Sequence, residues 1–175
     1  MKKLLTISFL FAFVCVFSQP KAKIGMSLED ARKLFPNAIE SKYEKTITLV
    51  NADTIHGLAD AWEYNFTDGK LKSMSFSKYI DVISEANFKK CLKATKEIIA
   101  DYTLLYDAPD EETEGKQKFV DPYKEHHYGY DVLEARWKNA SGQKIKIEFT
   151  FFGGKGEYHF IVVINHFEKD YQYYD

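Results

Sequence analysis

The run Ala61-Trp62-Glu63-Tyr64-Asn65-Phe66 is followed by Thr67-Asp68-Gly69 and then by Lys70 to Lys78. Apolar and polar side chains alternate on both arms, and turn-forming residues sit between them, the pattern of an antiparallel hairpin with one dry face. What the hairpin buries decides its register. A three-residue loop with Gly69 in the left-handed region puts Trp62 and Tyr64 on one face with Met74 and Phe76. A two-residue Asp-Gly turn would set the same aromatics against Ser73 and Ser75. The first register gathers apolar side chains and is the one expected.

The last third of the chain repeats this logic. Tyr130 to Lys138, Gln143 to Phe152 and Glu157 to Phe167 read as strands, separated by Asn139-Ala140-Ser141-Gly142 and Gly153-Gly154-Lys155-Gly156. A loop of Ala140-Ser141-Gly142 pairs Trp137 with Ile145, Ala135 with Ile147 and Leu133 with Phe149, while Lys144, Lys146 and Glu148 turn the other way. Tyr43 to Val50 is a further expected strand, closed by Asn51-Ala52-Asp53.

A helix precedes each hairpin. Ser27 is an N-cap with Asp30 three residues on. Leu28, Ala31, Leu34 and Phe35 form one face, and Pro36-Asn37 ends the run. Ser84 caps a longer helix reaching about Asp101, with Phe88, Cys91, Leu92, Thr95, Ile98 and Ile99 as its apolar stripe. Residues 107–129, with Asp110-Glu111-Glu112-Thr113-Glu114-Gly115-Lys116, have high charge and no period and are expected to form a solvated loop.

The expected fold is α+β, an antiparallel sheet packed by two helices, in a single domain over residues 19–175. The two hairpins resemble each other, and each follows a Ser-capped helix. This suggests a duplicated helix-plus-meander unit over 24–80 and 84–168. One alignment equates the Thr67-Asp68-Gly69 hairpin with the Ala140-Ser141-Gly142 hairpin. Another, equating 60–79 with 143–167, fits nearly as well.

Residues 1–18 have the form of a secretory signal peptide. Met1-Lys2-Lys3 is basic, Leu4 to Phe17 is apolar, and Val16-Phe17-Ser18 suits cleavage near Ser18-Gln19. The apolar run is short for a membrane span, whether or not it is retained as an anchor. Lipidation at Cys15 is not expected, because Val14 stands where a small residue is needed. The mature chain is therefore expected in the periplasm or outside the cell, without a transmembrane span. Loss of Lys2 and Lys3 takes the formal charge from −2 to −4, which disfavours a nucleic-acid partner. Cys91 is then the sole remaining cysteine, unable to form an internal disulfide. Its amphipathic setting favours a buried, inert thiol.

The first helix start, Ile24-Gly25-Met26-Ser27-Leu28-Glu29-Asp30-Ala31-Arg32-Lys33-Leu34-Phe35, resembles that of two related groups: exported β-lactamase-inhibitor-like proteins and small outer-membrane-assembly lipoproteins. The match rests on Gly25, Met26, Ser27, Asp30 and Phe35, and the order of elements extends it over most of the mature chain. It implies a helix followed by an antiparallel sheet, carried twice in the inhibitor-like members, and a binding role without a specified ligand. The lipoprotein role does not carry over, since the lipidation site is not usable.

Asp121, Glu125, His126 and His127 are the densest set of candidate metal ligands, but adjacent histidines on an extended segment point to opposite sides. His159 and His166 fall on opposite faces of a regular strand. No metal site and no cofactor is expected, and no nucleophile elbow is present. The expected function is non-catalytic recognition of a protein, peptide or envelope component by an open sheet face and the 107–129 loop. Trp62, Tyr64 and Trp137 on the sheet, with Tyr123, His126, His127 and Tyr128 in the loop, are the candidate binding residues. The three sheet aromatics are of a kind found more often in the core than at an interface. The alternatives are a metal-dependent hydrolase using His126 and His127, a thiol hydrolase using Cys91, and an envelope-assembly subunit.

Overall fold

Apolar pairing decides the register of both hairpins in the computed structural model, which describes residues 20–125, 129–154 and 157–169. The described elements are α1 (Leu28–Leu34), β1 (Ile39–Tyr43), β2 (Thr46–Ile55), β3 (Leu58–Thr67), β4 (Lys70–Ile80), α2 (Glu85–Tyr106), β5 (Glu111–Glu114), α3 (Pro122–Glu125), β6 (Gly129–Lys138), β7 (Lys144–Gly154) and β8 (Glu157–Phe167). The strands form one antiparallel sheet in the order β1-β2-β3-β4-β8-β7-β6-β5. Among the described residues, no helix is long and apolar enough to cross a membrane.

The first hairpin reaches its expected register by an unexpected route. Thr67 pairs with Lys70, so the loop has two residues, Asp68 and Gly69, both at positive φ (51° and 70°). Asp-Gly is favoured in such a turn because the left-handed conformation costs glycine nothing. Phe66 then pairs with Leu71 but Asn65 with Ser73, leaving Lys72 as a bulge. The extra residue moves the register by one, so that Tyr64 meets Met74 and Trp62 meets Phe76. Lys72 itself turns to Glu168, with Nζ–O distances of 2.8 and 3.0 Å.

The second hairpin has the expected three-residue loop. Trp137 pairs with Ile145, Ala135 with Ile147 and Leu133 with Phe149. Asn139 Oδ1 accepts from the backbone N–H groups of Ser141 and Gln143, and Gly142 takes φ 81°.

The expected strand from Tyr43 to Val50 is corrected. Glu44, at φ 51°, turns the chain there, so Tyr43 ends β1 and pairs with Thr46. β2 continues through Asn51-Ala52-Asp53, pairing them with Trp62, Ala61 and Asp60, to a turn at His56-Gly57.

Both helices pack on one face of the sheet. Ser27 Oγ accepts from the Asp30 N–H at 3.1 Å and donates to Asp30 Oδ2 at 2.6 Å, closing the start of α1. Ala31 and Phe35 are buried, and the Phe35 ring stacks on Tyr64 at 4.6 Å. Leu34 is exposed, contrary to its expected packing role: a helix of two turns buries only a narrow stripe. Because α1 is short, its cap matters, and Ser27→Ala is expected to cost about 1 kcal/mol in urea unfolding. α2 is capped by Ser84, which accepts from the Asn87 N–H. It runs on past Asp101 to Tyr106 because Tyr102 extends the buried stripe. Phe88 meets Phe149 and Phe160 at 5.4 and 5.9 Å, and Tyr102 meets Trp137 at 6.0 Å.

The expected loop at 107–129 is also corrected. Glu111–Glu114 is an edge strand on β6, with Glu111 opposite Arg136 and Glu114 opposite Leu133. Beyond it, Gly115 passes so close to β6 that a Cβ there would lie 2.0 Å from the Asp131 carbonyl oxygen. Phe119 packs on Phe88 and Phe160 at 6.0 and 6.3 Å. All four β5 side chains are exposed, so the strand carries no apolar period.

Candidate functional site: the sheet face opposite the helices

Strand alternation divides the aromatics between two environments. Trp62, Tyr64 and Trp137 are buried in the core beneath the helices. They are therefore not available as a recognition surface, which corrects their candidacy. Tyr123 is 57% exposed on α3, edge-on to Tyr158 at 4.9 Å. Tyr158 stacks on Phe151, which belongs to the covered side, so Tyr123 lies on that side too. His126, His127 and Tyr128 lie outside the described residues.

Phe119 and Tyr123 thus lie on the covered side, whereas Glu111 of β5 reaches Arg136 on the open face at 3.9 Å. Besides Phe119 against α2, Lys96 Nζ donates to Gln117 Oε1 at 3.0 Å. Tyr123, the described binding candidate of the segment, is therefore on the side opposite the open face.

No described helix packs on the other face, although Ser73, Asn165 and Phe167 on it are buried; it has three zones. Across β2, β3 and β4 it is small and polar. Thr48 Oγ1 donates to Asn65 Oδ1 at 2.8 Å, and Asn65 Nδ2 donates to Ser73 Oγ at 3.4 Å. Ser75 and Ser77 continue the zone along β4.

Across β6 and β7 the face is ionic. Like charges stand directly opposite, Glu134 against Glu148 and Arg136 against Lys146, an arrangement that is unfavourable alone. Diagonal and same-strand pairs neutralise it: Lys146 reaches Glu148 at 2.8 Å and Glu134 at 3.2 Å, and Arg136 reaches Glu134 at 2.6 Å. Partial burial opposes ionisation of Glu134, yet the hydrogen bond from Arg136 and the charge of Lys146 hold its carboxyl below the usual range. The network is locked by its own members rather than poised for proton transfer.

The third zone is apolar. At one end of β4, β8 and β7, Tyr79 pairs with Ile161, and Phe152 with His159. Tyr79 is 56% exposed and Phe152 63%. The Tyr79 and His159 rings meet edge-on at 6.4 Å, and His159 Nδ1 lies 2.8 Å from Asp81 Oδ1. Sequence reasoning passed over this patch, though its signal was available. Phe151 and Phe152 are consecutive on a strand, so one of them must leave the core.

The groups considered for chemistry are placed differently. Cys91 is fully buried, and burial pushes its thiol up to about 11, the opposite of what an attacking thiolate needs. The native protein is expected to resist Ellman's reagent at pH 8 and to release one thiol equivalent per mature chain in guanidinium. Rapid labelling of the native protein would contradict this burial. His166 is in the core, 2.7 Å from the Tyr102 hydroxyl, and burial lowers its pKa to about 3. It faces away from His159, as strand alternation requires. His56 contacts Asp101 at 2.9 Å and Glu97 at 3.4 Å, tying the β2–β3 turn to α2. Among the described residues, no group of three His, Cys, Asp or Glu side chains is arranged to hold a metal ion.

Comparison of the chain with protein-family models, with characterised proteins and with solved structures finds no match.

Proposed function

We propose that the protein is an exported, non-catalytic binding module that recognises a protein, peptide or envelope component through the sheet face opposite α1 and α2. One observation carries the reading: two large aromatics, Tyr79 and Phe152, stand exposed beside Ile161 and His159 on the face that α1 and α2 leave bare. Aromatic side chains supply large contact area at low entropic cost, and the hydroxyl residues Ser77 and Thr150 stand near them on the same face. The form of residues 1–18 supports export, and the likeness of the α1 start to exported inhibitor-like proteins supports a binding role.

A duplicated origin belongs to the same proposal, with units 24–80 and 84–168. Each unit is a Ser-capped helix followed by four strands, and the two meanders meet at β4 and β8. In that arrangement β3–β4 corresponds to β7–β8. This favours the alignment of 60–79 with 143–167 over the one between the two glycine-closed hairpins.

The test is partner capture from the producing cell's envelope by the purified protein. Tyr79→Ala with Phe152→Ala is expected to abolish capture, and Tyr123→Ala on the opposite side to leave it intact. Equal capture by all three proteins would refute the assignment of the face.

A further inference from the structure

The sheet has two free edges of contrasting design. One is β5, Glu111-Glu112-Thr113-Glu114, whose three carboxylates repel a second copy of themselves. The other is β1, Ile39-Glu40-Ser41-Lys42-Tyr43, exposed along its whole length, with Ile39 73% and Tyr43 78% accessible. We infer that β1 is a homodimer interface, joining two copies of the chain edge to edge, antiparallel, about a two-fold axis through Ser41.

The strand is complementary to itself in that register. Ile39 falls opposite Tyr43 of the second copy, Ser41 opposite Ser41, and Glu40 opposite Lys42. Two apolar pairs form on the open face and two charge pairs on the helix-covered side. A symmetric dimer requires this property, because one patch must serve as both partners.

Backbone geometry allows the same register. Tyr43 and Thr46 flank a two-residue turn and form its closing hydrogen-bonded pair, so Ile39, Ser41 and Tyr43 direct their peptide groups at β2. Glu40 and Lys42 direct theirs outward, and in the proposed pairing they meet each other. The neighbouring registers with the same backbone phase bring Glu40 onto Glu40, or Lys42 onto Lys42, and they separate Ile39 from Tyr43. Charge and apolar pairing therefore select one register among three.

Within one copy, Glu40 already binds Arg32 of α1 at 2.7 and 2.8 Å. In the dimer its carboxylate would lie between Arg32 and the second copy's Lys42, and each oxygen can accept more than one hydrogen bond.

Sedimentation velocity of the purified protein, expressed from its full sequence, tests this over a concentration series. The wild type is expected to pass from monomer to dimer as concentration rises. Lys42→Glu places Glu40 against a second carboxylate, and Glu40→Lys places Lys42 against a second ammonium. Each variant alone is expected to dimerise about tenfold more weakly or worse. Mixed in equal amounts they regain unlike pairs on both sides of the axis, so the mixture is expected to associate again. A wild type that stays monomeric, variants that dimerise as tightly as wild type, or a mixture no tighter than its components would each overturn the inference. Circular dichroism and thermal melting check that the variants fold. If either does not, Ser41→Arg sets two guanidinium groups face to face on the axis, and undiminished dimerisation of that variant would overturn the inference equally.

Discussion

Lowering the pH from 6.5 to 3 is expected to remove on the order of 4 kcal/mol of stability through His166 alone. The ring is buried between Tyr102 and Trp62, and burial holds its pKa near 3, against an ordinary 6.5. In the unfolded chain the imidazole takes a proton at its ordinary pKa, whereas in the folded chain it stays neutral until about pH 3. The unfolded state therefore binds more protons through this window, and stability rises with pH across it and is flat above. Glu134 acts in the same direction lower down: its depressed carboxyl stabilises the fold above its unfolded pKa and loses that contribution as pH falls through the folded one. Against a total of about 5–15 kcal/mol for a domain, the histidine makes its full contribution to acid unfolding only as the pH approaches its folded value near 3. His166→Gln, which keeps a polar partner for Tyr102 but does not titrate, is expected to flatten the dependence between pH 6.5 and about 4.5. Urea titrations at half-unit pH intervals measure it. An unchanged slope in the variant would show that other groups dominate.

Truncating Trp62 is expected to cost about 3–5 kcal/mol as Trp62→Ala, close to the whole stability of a marginal domain. The indole is fully buried and touches Tyr64, Phe76 and His166, with ring centroids between 5.8 and 6.3 Å apart. Its Nε1 has no hydrogen-bond partner within the described residues, so Trp62→Phe removes an unsatisfied donor along with some volume and should cost clearly less than the alanine variant. Phe152→Ala, on the open face, is expected to stay within about 0.5 kcal/mol of wild type. Urea unfolding of the three variants separates core from surface directly. A Phe152→Ala cost rivalling that of Trp62→Ala would mean the two faces have been read the wrong way round.

The contrast between Trp62 and Phe152 also explains what could be read from the sequence. Alternation along Trp62-Glu63-Tyr64 and along Lys144 to Phe149 is strict, so the strands and their apolar pairing were legible. The Lys72 bulge was not, because it reconciles two local preferences: Asp68-Gly69 favours a two-residue turn, while the aromatics demand the register of a longer one. The break at Glu44-Lys45 was hidden because neither residue is a strong turn former, and β5 because its four side chains are all exposed and carry no apolar period. The helix stripes were legible from Phe88 to Ile99. Tyr102 was missed because its neighbours Asp101 and Thr103 are polar. The site was less legible than the fold. Large aromatics attract attention wherever they occur, but in a sheet covered on one side the phase of the alternation decides which of them meet solvent. That phase takes Trp62, Tyr64 and Trp137 inward and Tyr79 and Phe152 outward.

Hydroxyl-radical footprinting of the protein with its captured partner, read residue by residue against the free protein, tests the assignment of the recognition face most directly. Recognition through the face opposite the helices predicts that Tyr79, Phe152 and Ile161 become protected while Tyr123 keeps its labelling. Protection at Tyr123 with Tyr79 and Phe152 still fully labelled would contradict it.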